Sequence, residues 1–144
     1  MRALLSLIVD TKVCEDGSSP EFLLNPASGK LLEFDRFYAA DGVAFEFNGP
    51  QHYVATGRFT KREVAAQRKR DALKRRICKE EAITLVVVHP IDLSLSRMWR
   101  IVGDLLPRRV LRGFKQTIRF LNQCTERYRN ASLRWEHILT TASR

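Results

Sequence analysis

Two short segments with strand character, Leu31–Tyr38 and Val43–Phe47, flank the dipeptide Asp41-Gly42. Asp-Gly between apolar and aromatic runs is a strong hairpin signal, because glycine accepts the positive φ that tight turns demand. The first segment alternates imperfectly: Leu32, Phe34 and Arg36 fall on one face, and Leu31, Glu33, Asp35 and Phe37 on the other. The second segment is apolar and aromatic around one acid, Glu46. An antiparallel hairpin turning near 41–42 sets Asp35 close to opposite Glu46, within a residue or two of register. Two like charges there repel unless a cation sits between them, and an acid inside an apolar strand is costly without a partner. The bland alternative has one carboxylate facing solvent or paired with Arg36 or Arg58.

The rest of the chain supplies the elements around this hairpin. Residues 13–30 are rich in Gly, Ser, Pro and Asn and read as a long loop or loosely structured arm. Residues 61–81 lack Gly and Pro, follow Thr60 with Glu63 as a capping box, and predict a long helix. Ala66, Leu73 and Ile77 form its apolar stripe, while Gln67, Asp71, Lys74 and Cys78 share a second face. Residues 83–88, β-branched throughout their second half, predict a central, doubly buried strand that His89-Pro90 ends. A helix over 94–106 turns Leu95, Met98, Trp99, Val102, Leu105 and Leu106 inward. A further helix over 108–128 buries Val110, Phe114, Ile118 and Leu121, and carries Arg108, Arg109, Arg112, Lys115 and Arg119 on its other side. Met1–Asp10 is the first helix or strand; its apolar run is too short to span a membrane. The expectation is one α/β domain over 1–144, with its core at about 30–92 and a helical extension at 94–128.

Charge narrows the partners. The 144 residues hold 25 Lys+Arg against 16 Asp+Glu, a formal net charge of +9 and a pI near 10.0. At 44% hydrophobic the chain can bury a core, so it is no disordered basic tail. A folded, strongly basic domain points to polyanions, nucleic acid first, with no membrane partner expected. Cys14, Cys78 and Cys124 are widely spaced without a C-x-x-C pair, which predicts neither a disulfide framework nor a zinc ribbon, and a reducing intracellular setting is the expectation.

Asp35 within Glu-Phe-Asp-Arg-Phe-Tyr, Glu46 on the next strand, His52 six residues later, and Arg70-Asp71 ahead of Ile83–Val88 form an ordered array. It resembles the restriction-endonuclease-like PD-(D/E)XK superfamily, and within it the branch of very-short-patch repair and related homing endonucleases. The resemblance covers roughly residues 30–92. It implies a metal-dependent DNA endonuclease, with a nicking enzyme one form of it. Asp35 and Glu46 would hold Mg²⁺, with Mn²⁺ as substitute. His52 would activate water or protonate the leaving oxygen, and Asp71 would orient His52 or bind a second ion. Lys74 would neutralise a phosphate oxygen, and Gln51 would position substrate or water. Arg68, Lys69, Arg75, Arg108, Arg109 and Arg112 would contact phosphates, on DNA more readily than RNA.

The superfamily's usual lysine would stand two residues after Glu46, where this chain has Asn48. Either His52 replaces it or Lys74 reaches in from the helix; if neither does, the fold is a binding platform only. Glu-Phe-Asn-Gly-Pro-Gln-His-Tyr is also similar to the RAP domain, which implies a non-catalytic or RNA-directed nucleic-acid-binding role. A third class of reading is an interaction module whose basic surface meets an acidic protein.

Overall fold

The computed structural model describes residues 1–11, 13–49 and 60–142, with side chains described as far as residue 131. The chain is mixed α/β, in the order α1 (Arg2–Ile8), β1 (Glu15–Ser18), β2 (Leu24–Asn25), β3 (Lys30–Leu31), β4 (Phe34–Tyr38), β5 (Val43–Phe47), α2 (Lys61–Glu80), β6 (Thr84–Val88), α3 (Leu95–Val102) and α4 (Lys115–Ala142). It divides into two compact units. The sheet unit is Lys12–Val87; the terminal unit joins Met1–Thr11 to Val88–Arg144.

In the sheet unit the strand order is β1-β4-β5-β6. The predicted hairpin forms as β4 and β5, antiparallel, with Arg36 facing Phe45 and Tyr38 facing Val43. Gly42 closes the turn at φ +62°, a backbone conformation that a side chain would strain. The Thr84 N–H donates to Gly42 O at 2.8 Å, at the head of both strands, so β6 runs parallel to β5. A parallel pair needs a long crossover, and α2 lies between the two strands in the chain. Thr60 caps α2 through the capping box that the sequence announces.

The core of this unit gathers Leu23, Leu32, Phe34, Phe37 and Ala44 against Ile77 and Cys78 of α2. Phe34 and Phe37, which alternation assigns to opposite faces, belong to one cluster with ring centroids 5.2 Å apart. The helix faces are also redrawn. Lys74 and Cys78 of the second face are buried beside Ile77, whereas Leu73 of the expected apolar stripe is only partly so.

Three other expectations are corrected. Residues 13–30 are not a loose arm: they contribute β1, paired to β4, and the β2–β3 hairpin. Composition hides this because β1, Glu-Asp-Gly-Ser, has no apolar side chain and is held by its ladder to β4 and by charge. Asp16 stands opposite Arg36 and accepts two hydrogen bonds from its guanidinium, at 2.7 and 2.9 Å. The β6 strand is an edge strand among the described residues, not a central one, and only Val88 is fully buried. Of its apolar run Leu85 packs on the unit's core, while Val88, which alternation puts on the other face, is fully buried. Finally, α3 ends at Gly103, and α4 starts at Lys115 rather than at 108. Between them Arg108 forms an antiparallel bridge with Val9, and Gly113 adopts φ +90°. Val110 is consequently exposed, not buried.

The Arg36–Asp16 pair makes β1 testable. The Arg36 side chain is 5% exposed, so its charge depends on Asp16, which is itself 41% exposed and partly screened by solvent. Asp16→Ala should therefore cost about 2 kcal/mol, below the usual range for breaking a fully buried pair. Urea denaturation measures it; an unchanged midpoint would show that Arg36 is satisfied without β1.

Candidate active site

The hairpin register decides which side chains meet. The pairs Arg36–Phe45 and Phe37–Ala44, extended one residue, set Asp35 against Glu46. They share the sheet face of Phe37 and Ala44, which α2 covers with Ile77 and Cys78. The backbone N–H of Phe47 donates to Asp35 Oδ2 at 2.7 Å, fixing that carboxylate at the end of the ladder.

Glu46 is the more deeply set acid, its side chain 14% exposed. Lys74 reaches it from α2, donating from Nζ to Glu46 Oε1 at 2.7 Å and to the Glu33 carbonyl at 2.6 Å. The ammonium also lies 5.8 Å from the centroid of the Phe34 ring. Glu46 Oε2 is buried and accepts no hydrogen bond from the described residues. Burial pushes the Glu46 carboxyl above the ordinary carboxylate range. The charge and hydrogen bond of Lys74 oppose that shift, and the charges of Asp35 and Asp71 add to it.

Asp71 stands one turn before Lys74 and accepts a hydrogen bond from Gln67 Nε2 at 2.8 Å. Glu46, Asn48, Asp71, Lys74 and Arg75 line a cavity of about 10 Å³, closed by Leu85 and Val87 of β6. That is about the room one water molecule or small ion requires. The oxygen donors suit a hard cation. Among the described residues no group of three or more His, Cys, Asp or Glu side chains converges on a common point. A cation here would thus rest on one or two carboxylates with backbone and water, which is how Mg²⁺ commonly binds.

Of the residues the sequence singles out, Asp35, Glu46, Asp71 and Lys74 belong to this face of the sheet unit. Arg68, Lys69 and Arg75 are exposed along α2. Gln51 and His52 lie outside the described residues. Arg108, Arg109 and Arg112 are in the terminal unit and do not form a helix face. Arg108 stacks 5.1 Å from the Trp99 ring and pairs with Asp104 at 3.9 Å, while Arg109 pairs with Asp10 at 3.4 Å. Two of these three arginines, Arg108 and Arg109, are therefore engaged within the protein.

Two contributors escaped sequence reasoning as site residues. Glu33 acts through its carbonyl, which no side-chain pattern reveals. Asn48 is buried and lines the cavity. Its signal was available: two residues after Glu46 in an extended strand is the same face.

No protein-family model matches the chain. No solved structure matches it either. Over 79 residues it is 43% identical to Uncharacterized protein 033L of Invertebrate iridescent virus 3, spanning 54% of this chain and 40% of that protein. It is 41% identical over 76 residues to Uncharacterized protein 307L of Invertebrate iridescent virus 6, across 48% of this chain and 39% of the relative. A third similarity, 33% over 69 residues, is to Uncharacterized protein 094L of Frog virus 3, covering 46% of this chain and 44% of that one. The chain thus spans about two fifths of the length of the curated relatives it matches.

Proposed function

We propose that the sheet unit is a metal-dependent nuclease centre of the restriction-endonuclease-like kind, hydrolysing phosphodiester bonds in DNA. The observation that carries this reading is Glu46: a largely buried acid set opposite a second acid, with one oxygen on Lys74 and the other without a hydrogen-bond partner among the described residues. Binding a polyanion needs no such arrangement, and desolvating an acid beside two others costs stability that only a cation or a reaction repays.

Glu46 and Asp35 are the residues that would hold Mg²⁺ or Mn²⁺, with Asp71 at the same cavity. When bound, the ion polarises the scissile phosphate and stabilises the charge that develops on it. The chain's own residues do the rest. Lys74 carries the cationic role that the strand position of Asn48 does not supply, held in place by the Glu33 carbonyl and packed by Phe34. A phosphate oxygen or leaving oxygen arriving at Nζ would meet a pre-aligned donor. Gln67 holds Asp71 by a hydrogen bond, and Arg75 at the rim would meet the approaching backbone.

A second reading has its own support. Lys74 already neutralises Glu46 at 2.7 Å, as a purely structural ion pair would. This favours a non-catalytic, RAP-like nucleic-acid-binding platform. Supercoiled plasmid incubated with the purified chain separates the two. The nuclease gives nicked circles with Mg²⁺ or Mn²⁺ and none with EDTA. Retarded but intact plasmid under all three conditions decides for the platform.

A further inference from the structure

The terminal unit carries an open groove of about 1070 Å³ between α3 and α4. Its floor is apolar: Leu95 and Trp99 from α3, Ile118 from α4, and Leu111 from the turn ahead of α4. Along its walls stand Arg100, Lys115 and Arg119, exposed and without an ion pair or hydrogen bond among the described residues, against a single acid, Glu126. Other cations nearby are engaged: Arg108 stacks on Trp99, and Arg129 donates to the Leu93 carbonyl and to Thr125.

This combination selects one kind of occupant. Phosphate backbones call for cations but have no use for an apolar floor. Successive single-stranded bases call for several aromatic platforms, and Trp99 is the one aromatic ring among the groove's described lining residues. An amphipathic helix fits both features, with apolar anchors downward and carboxylates toward the walls. The eight residues of α3 make a wall of about 12 Å, the length of roughly two helical turns. That admits anchors spaced i, i+3, i+4 and i+7.

We propose that this groove receives an acidic amphipathic helix from a partner protein, its apolar face on Leu95, Trp99 and Ile118 and its carboxylates on Arg100, Lys115 and Arg119. The assignment is independent of the nuclease reading and holds whether or not the sheet unit cleaves DNA.

The test uses the full chain and a labelled synthetic helix of about four turns, leucines on one face and glutamates elsewhere, read by fluorescence anisotropy. Two analogues accompany it: one with the leucines changed to alanine, one with the glutamates changed to lysine. The parent helix should bind, with each analogue weaker by at least about tenfold, the effect of losing either half of the complementarity. Lys115→Glu with Arg119→Glu, both at exposed positions, should lose the parent and gain the lysine analogue. The peptide analogues test the idea even if that variant misfolds. The proposal is overturned if the alanine analogue binds as well as the parent, since the groove is then a plain polyanion site. Failure of the parent to bind also overturns it, as does its displacement by short single- or double-stranded DNA acting through Lys115 and Arg119.

Discussion

Replacing Glu46 by glutamine is expected to abolish Mg²⁺-dependent nicking, by at least about 10³-fold, in a protein that stays folded. Glutamine keeps the volume in a cavity with no room to spare, and its carbonyl still accepts from Lys74 Nζ. What it removes is the negative charge, and with it the affinity for a divalent cation. The loss should therefore appear in cleavage and in Mg²⁺-induced thermal stabilisation together, while DNA retention on a gel persists. Retention should even increase without metal, because an anion that repels phosphate has gone. The decisive contrast is with Asp16→Ala, which destabilises the same sheet at a charge pair that alternation puts on the face opposite to Asp35 and Glu46. If both variants lose activity in proportion to their stability, Glu46 is a structural residue and the nuclease reading falls.

Much of this arrangement is legible in the sequence, and the reasons are local. The Asp-Gly turn fixed the hairpin, and period-two alternation from that turn placed Asp35 opposite Glu46. The capping box and the absence of Gly and Pro marked α2 from its first residue. What sequence could not weigh was tertiary pairing of charge. The sequence offers Lys74 as a residue that reaches in from α2, but not its ion pair with Glu46 or its hold on the Glu33 carbonyl, which follow from its buried place one turn before Cys78. Arg36 falls on the face of Leu32 and Phe34, and the partner that lets it be buried, Asp16, comes from a segment whose composition signals only loop. The C-terminal arginines failed differently. The spacing of Val110, Phe114 and Ile118 fits a helix, but Gly113 at φ +90° breaks the chain there and leaves Val110 in water.

The Lys74–Glu46 pair yields the second large effect, one whose sign depends on pH. Lys74→Met keeps an unbranched apolar stem on Phe34 and removes the ammonium from Glu46 Oε1. Glu46, largely buried, then loses its ammonium partner, so the variant should lose about 3 kcal/mol at pH 8, as buried pairs do when one member is removed. Glu46 titrates above its unfolded value even in the native protein, because burial outweighs Lys74. A group raised in this way supports the fold below its unfolded pKa, and that support is lost as pH rises through the folded value. Without Lys74 the folded value climbs further, so the loss extends to higher pH. The variant should consequently lie near wild-type stability at pH 4 and fall steadily behind toward pH 8. If a divalent ion belongs beside Glu46, Mg²⁺ at pH 8 should restore part of that stability, and more in Lys74→Met than in wild type, since binding to the folded state alone is stabilising. The double variant Glu46→Gln/Lys74→Met should show neither the pH slope nor the Mg²⁺ response. Denaturation midpoints across pH, with and without Mg²⁺, give the answer. A deficit independent of pH would remove Glu46 as its origin, and equal Mg²⁺ shifts in all three proteins would place the ion elsewhere.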